Sequence, residues 1–248
     1  MLRIAPLAGA ILLTAAPAWA QVQVTTLASP DAFSSPGRDT GLPAELWRGT
    51  PIETARAVLP VLAARPLSPA AASLARRLLA TGATGPEGSI GDEALVGARA
   101  NALIALGDVA AAAKILEREP GVARNPDLAR AAAESALLAG DNARACSLAE
   151  GRSEVYWLRL RAFFQAQAGR TAEAQLTFDL AQAQGRDATF GRLMSARLAG
   201  TAPGAASLRG GLDYALSKAL NLDLAAGKPA PAVAAAISGA EPAAPVFD

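Results

Sequence analysis

Histidine is missing from all 248 residues, cysteine occurs once, and lysine stands only at Lys114, Lys218 and Lys228. Without histidine there is no Ser-His or Cys-His nucleophile and no histidine-containing zinc site. Carboxylate chemistry, a Ser-Lys pair and carboxylate-only calcium binding remain. None of the three lysines stands in an S-x-x-K pattern, and no D-x-D-x-D run of the calcium-loop kind occurs. A single thiol, Cys146, cannot close an internal disulfide, so stability must come from packing. It lies in Ala143–Leu148, a predicted helix, where a small core residue is expected. The alternative is pairing with another chain's cysteine; a nucleophilic role lacks an activating base.

A strong charge of either sign is lacking too. There are 23 basic and 22 acidic residues, and loss of Arg3 with a leader leaves 22 against 22. A balanced chain argues against nucleic acid or an anionic membrane as the main partner. The leader is expected from Arg3, the apolar run Ile4 to Ala16, Pro17 and the small residues of Ala18-Trp19-Ala20. These are the parts of a secretory signal peptide, residues 1–20, with cleavage between Ala20 and Gln21. The apolar run is shorter than the ~20 residues of a bilayer span, and no cysteine follows it to carry a lipid. The expected location is therefore periplasmic or secreted, with no transmembrane segment in the mature chain.

Alanine and leucine dominate what is present, and both favour helix. Residues 21–43 are punctuated by Ser29-Pro30, Ser34-Ser35-Pro36-Gly37 and Gly41-Leu42-Pro43. This composition predicts an extended, partly disordered arm, with packing along the first helices as the alternative. Gln21-Val22-Gln23-Val24 alternates like a short strand. A helical domain is expected over 44–238 and a mobile Pro/Ala-rich tail over 239–248. Thr50-Pro51-Ile52-Glu53 predicts an N-cap and a first turn, followed by Ala55, Val58, Leu59 and Leu62. Ser68-Pro69 predicts a second start, with Leu74, Leu78 and Leu79 at core spacing. Further on, Asp187 to Phe190 opens a helix, and Leu212, Leu216, Leu220 and Leu224 recur on one face. Pro231 to Ile237 predicts one short helix more.

Three segments share an arrangement: Ala102 to Asp108, Ser135 to Asp141 and Phe164 to Arg170. Each runs as helix into a glycine suited to a left-handed C-cap. The glycines are spaced 33 residues apart (107 to 140) and then 29 (140 to 169). Seven residues before them stand Ala100, Ala133 and Ala162; five after them stand Ala112, Ala145 and Ala174. Asp108, Asp141 and Thr171 are the expected caps of the helices that follow.

This pattern resembles the tetratricopeptide repeat, most clearly over 92–184. Trp157 lies near that family's frequent aromatic and Phe178 matches its large second-helix residue. Leu116 and Ala149 depart from that residue, and the unit-ending proline is absent or displaced to Pro126. The string of Leu46 to Thr50, Leu74 to Leu79 and Leu137 to Asp141 is also similar to exported, alanine-rich bacterial proteins of uncharacterised activity, whose members are often longer. The first resemblance implies an all-α antiparallel helix-pair solenoid with a concave face lined by the first helix of each pair. Counting back from the glycines puts Asn101, Arg130, Glu134, Tyr156, Arg159, Phe163 and Gln167 on that face.

The expected function is a scaffold or adaptor that binds another protein of the envelope through these residues, without cofactor, metal or catalytic group. Two alternatives compete. Self-association would use the Leu212 to Leu224 face or Cys146. A part in cell-wall (peptidoglycan) processing would be as an accessory, or as a catalytic component with Glu93, Glu117, Glu134 or Glu154 as general acid.

Overall fold

The computed structural model describes residues 31–65 and 67–238. The expected leader, the Gln21 to Val24 segment and the tail after Ser238 lie outside the described residues. Among those described the chain is all-α. Its helices are α1 (Ile52–Ala64), α2 (Pro69–Ala80), α3 (Glu93–Ala105), α4 (Val109–Glu117), α5 (Pro126–Ala139), α6 (Asn142–Leu148), α7 (Val155–Gln167), α8 (Thr171–Gln184), α9 (Ala188–Ala199), α10 (Gly211–Ala219) and α11 (Pro231–Ser238). A 3-10 turn, Pro120–Ala123, precedes α5. Among the described residues extended pairing is limited to isolated bridges, Asp31 with Ile90 and Pro51 with Glu87. No helix among these residues is long and apolar enough to cross a membrane.

Local chemistry sets the helix ends. At Gly107, Gly140 and Gly169 the backbone turns left-handed, with φ of 87°, 79° and 73°. The amide after each glycine donates to a carbonyl five residues back: Asp108 to Leu103, Asp141 to Ala136 and Arg170 to Gln165. Each glycine amide itself bonds three residues back, completing a Schellman motif. Asp108 and Asp141 then cap the next helices, accepting from the Ala111 and Arg144 amides. Thr171 does not cap: it is already helical, and Arg170 occupies that position without a side-chain bond. Thr50 likewise leaves the cap position to Pro51, which offers no side-chain bond. Ser68 caps α2 through the Ala71 amide, and Asp187 caps α9 through Thr189 and Phe190.

Packing follows the small residues. Ala100, Ala112, Ala133, Ala145, Ala162 and Ala174 all sit at 0% exposure. With no bulk beyond Cβ, they let α3 fold back on α4, α5 on α6, and α7 on α8. One core cluster joins α1 to α5; a second joins α5 to α10 around Trp157, Leu160, Phe163 and Leu193. A third, smaller one joins Val109 and Leu138 to Leu208, Tyr214 and Val233.

That third cluster is where the chain departs from the simple picture. After α9 it returns: α10 packs on α5 and α9, and α11 on α3, α4 and α5. Leu212 and Leu216 are buried in this return, so the leucine face expected for self-association is spent internally. The leucine period also overruns its helix. Asn221 (φ 54°) turns left-handed, the Leu222 amide bonds back to Ser217, and Leu224 packs beyond the helix end. At the other end Leu74, expected in the core by its spacing, is 49% exposed, and Val58 is 45% exposed. No described element lies beyond α1 and α2 to cover them.

The described part of the N-terminal arm is packed, not free. Ala32 and Phe33 are buried, and a Cβ on Gly37 would lie 2.6 Å from the Cβ of Ala111. Only glycine lets the arm pass that close to α4. Arg99, fully buried on α3, donates Nε to Leu79 O, Nη1 to Ala32 O, and Nη2 to Ser35 O and Thr81 O. Its carbon also lies 5.2 Å from the Phe33 ring centre. Burial pulls the guanidinium down to about 9, with Asp31 opposing, so it remains cationic at neutral pH.

Candidate partner-binding face

The first helices of the three glycine-ended pairs, α3, α5 and α7, supply all seven residues expected on the concave face. The C-terminal return divides that face. Asn101 is exposed and, with Glu134, lines a groove of about 600 Å³. Leu62 and Leu67 come to this groove from the α1–α2 end, Ile104 and Leu138 from α3 and α5, and Pro231 from the return. Phe163 and Gln167 line a smaller hollow of about 320 Å³ with Tyr214 and Lys218. Gln167 is exposed there, whereas Phe163 is at 0% exposure. As a core residue under α10, Phe163 is inaccessible to a partner in this arrangement.

Glu134 is held at the join. Its Oε2 accepts from the Gly211 amide at 2.6 Å, capping the first turn of α10, where Gly210 has no side chain to do so. A Cβ on Gly211 would lie 2.8 Å from Glu134 Oε2 and 2.9 Å from the Glu134 carbonyl oxygen. The position therefore admits α10 onto α5 only as glycine. Desolvation raises the Glu134 carboxyl above its ordinary 4.5; the Tyr156 hydroxyl, the Gly211 amide and Arg130 pull the other way.

Arg130 is exposed and stacks 4.7 Å from the Tyr156 ring centre, so Arg130, Glu134 and Tyr156 form one group. The Tyr156 hydroxyl is buried beside Glu134 outside normal hydrogen-bond geometry, with no other partner among the described residues. Burial raises that phenol well above 10.0.

Arg159 has a different task. It donates Nη2 to Gly185 O at 2.7 Å, stands 3.5 Å from Asp187, and lies over Phe190. It fixes the α8–α9 corner. Desolvation resists ionisation of Asp187, but the Phe190 amide, Arg209 and Arg159 outweigh it and hold the carboxyl below 3.8.

Sequence reasoning missed the groove's cations. Arg65, Arg76 and Arg209 line it together with Glu134. Arg209 is taken up by Asp187 and Asp213. Among the described residues neither Arg65 nor Arg76 pairs with a carboxylate; Arg76 donates Nη1 to Leu106 O at 3.1 Å. Nothing in the sequence marks these three, because they meet only when the return lies beside α1 and α2.

The other glutamates considered for acid catalysis stand apart. Glu93 accepts from Arg124 and Asn125, Glu117 pairs with Arg144, and Glu154 precedes α7 without capping it. Among the described residues no group of three or more acids or Cys146 could hold a metal ion. Cys146 is a free, half-buried thiol against the second core. No family model matches this chain, and neither a curated protein nor a solved structure shows significant similarity to it.

Proposed function

We propose that the chain is an exported, non-catalytic scaffold or adaptor of the bacterial envelope. On this reading its helix pairs form a tetratricopeptide-like array, and the concave face holds a segment of another protein. The observation that carries it is the groove of about 600 Å³ bearing Asn101: apolar side chains line it, and two of its arginines, Arg65 and Arg76, pair with no carboxylate among the described residues. That volume falls within the ~300–1,000 Å³ of ordinary ligand clefts. Arg and neighbouring apolar groups are what binding hot spots are made of.

Affinity capture from an envelope fraction tests it. The chain from Gln21 should retain a discrete protein that Asn101→Trp, which fills the groove from an exposed position, no longer retains. Identical captures by both chains would refute the groove as the site.

One observation favours catalysis instead: Glu134 lies in the groove with a raised carboxyl, the condition of a general acid. Its Oε2 is committed to the Gly211 amide, which makes it a cap in our reading. Release of soluble fragments from purified peptidoglycan by the native chain, but not by Glu134→Gln, would reverse that assignment.

A further inference from the structure

The groove's charges select a kind of partner. Among the described residues four ionisable side chains line it: Arg65, Arg76, Arg209 and Glu134. Two of them are neutralised or diverted. Arg209 bonds Asp213 and Asp187, and the Glu134 carboxylate is turned to the Gly211 amide with its charge disfavoured by burial. Arg65 and Arg76 remain, without a carboxylate among the described residues. The groove is therefore positive around an apolar lining of Leu62, Leu67, Ile104 and Leu138. Arg76 is half-buried and anchored through Nη1 to Leu106 O, so its guanidinium is oriented before anything binds. An anchored planar fork suits a carboxylate, which accepts two parallel N–H bonds from it.

Among the described residues no aromatic ring lines the groove, so a nucleobase would find no stacking platform there. A flat lipid surface does not enter a concave site. We infer that the groove takes an extended acidic peptide, with one Asp or Glu carboxylate on Arg76 in the field of Arg65 and flanking apolar side chains on Leu62, Leu67 and Ile104. This deepens the adaptor reading and rests on it.

Phage-displayed random twelve-residue peptides, panned on the chain from Gln21 after depletion on Asn101→Trp, provide the test. Enriched sequences should share an Asp or Glu beside Leu, Val or Pro. A fluorescent synthetic copy should bind roughly tenfold more weakly to Arg76→Gln and measurably more weakly to Arg65→Gln. Replacing the peptide's acid by its amide should weaken binding equally, with no further loss when both changes are combined. Arg65 is an exposed C-cap residue, so that variant keeps the test open if Arg76→Gln unfolds. Peptides without an acid that still require an open groove would overturn the carboxylate inference and leave the adaptor reading standing. Peptides indifferent to both arginines would do the same. Failure to enrich any peptide against the blocked chain would overturn both.

Discussion

Arg99 is a charge on the wrong side of its helix by any count of surface and core. It stands four residues after Leu95 and four before Leu103, both fully buried, so the helical period alone puts it inside. What the period does not give is its partners. Three of the four carbonyls it holds belong to residues 32, 35 and 81, outside any helix interior. Arg99→Met would leave these acceptors buried and unpaired, at about 1–3 kcal/mol each before relaxation. We expect a loss of about 3–5 kcal/mol in urea denaturation, with faster amide exchange at Phe33 and Gly37; a loss below about 1 kcal/mol would show that the arm does not depend on it.

Two glycines separate two causes. Gly140 has φ 79°, and a methyl added there would meet nothing within 4 Å, so Gly140→Ala should cost only the left-handed penalty, about 1 kcal/mol. A methyl at Gly211 would meet the Glu134 carboxylate tip at 2.8 Å and also the Glu134 carbonyl oxygen at 2.9 Å, and that backbone atom cannot swing aside. Gly211→Ala should therefore cost about 1–3 kcal/mol by overpacking, although alanine is the better helix former. Thermal melting of the two variants decides it: equal shifts would mean that α10 does not sit as closely on α5 as described.

At the scale of elements, the local signals were legible and the failures were informative. Glycine followed by aspartate ended one helix and began the next at 107–108 and 140–141, because both events need only backbone within five residues. Asp141 is exposed and makes a cap alone, so Asp141→Ala should lose about 1 kcal/mol. Asp108 caps α4 and also pairs with Arg38 while nearly fully buried. Asp108→Ala should cost at least twice as much in the same urea titration. Equal costs would mean that the arm's ion pair contributes nothing. The leucine period beyond Leu216 misled because a repeating pattern records which residues are apolar, not where the backbone stops. Asn221 stopped it. Arginine recurs as a cap on carbonyls at element ends: Arg197 on Ala166 O, and Arg152 on Leu148 O and Ala123 O. The bonds to Ala166 and Ala123 span 31 and 29 residues and leave no spacing to read.

For the whole molecule, the C-terminal return is the deciding feature, and its pH response follows from two acids of opposite sense. A carboxyl raised in the folded state keeps its proton longer there than in the unfolded chain. For Glu134 stability therefore falls as pH rises from the ordinary 4.5 through its folded value. Glu134→Gln retains an acceptor for the Gly211 amide without the buried charge. It should gain in urea midpoint relative to the native chain on going from pH 4 to pH 8. A constant difference across that range would mean that the site is better solvated than its burial implies. Asp187 is lowered, so its contribution is present above 3.8 and lost as pH falls through its folded value. Asp187→Asn should flatten that acid limb and leave the neutral-to-alkaline side unchanged.

The amino-acid order by itself determined the helical class, three of the helix-turn-helix corners and the six alanines on which the pairs close, since each of these is settled within a few residues of chain. Tertiary structure alone decided what lies over the face those helices present. The bond that divides it joins Glu134 to Gly211 across 77 residues. Contacts of that span depend on where the returning chain comes to rest, and no periodicity along the sequence encodes it.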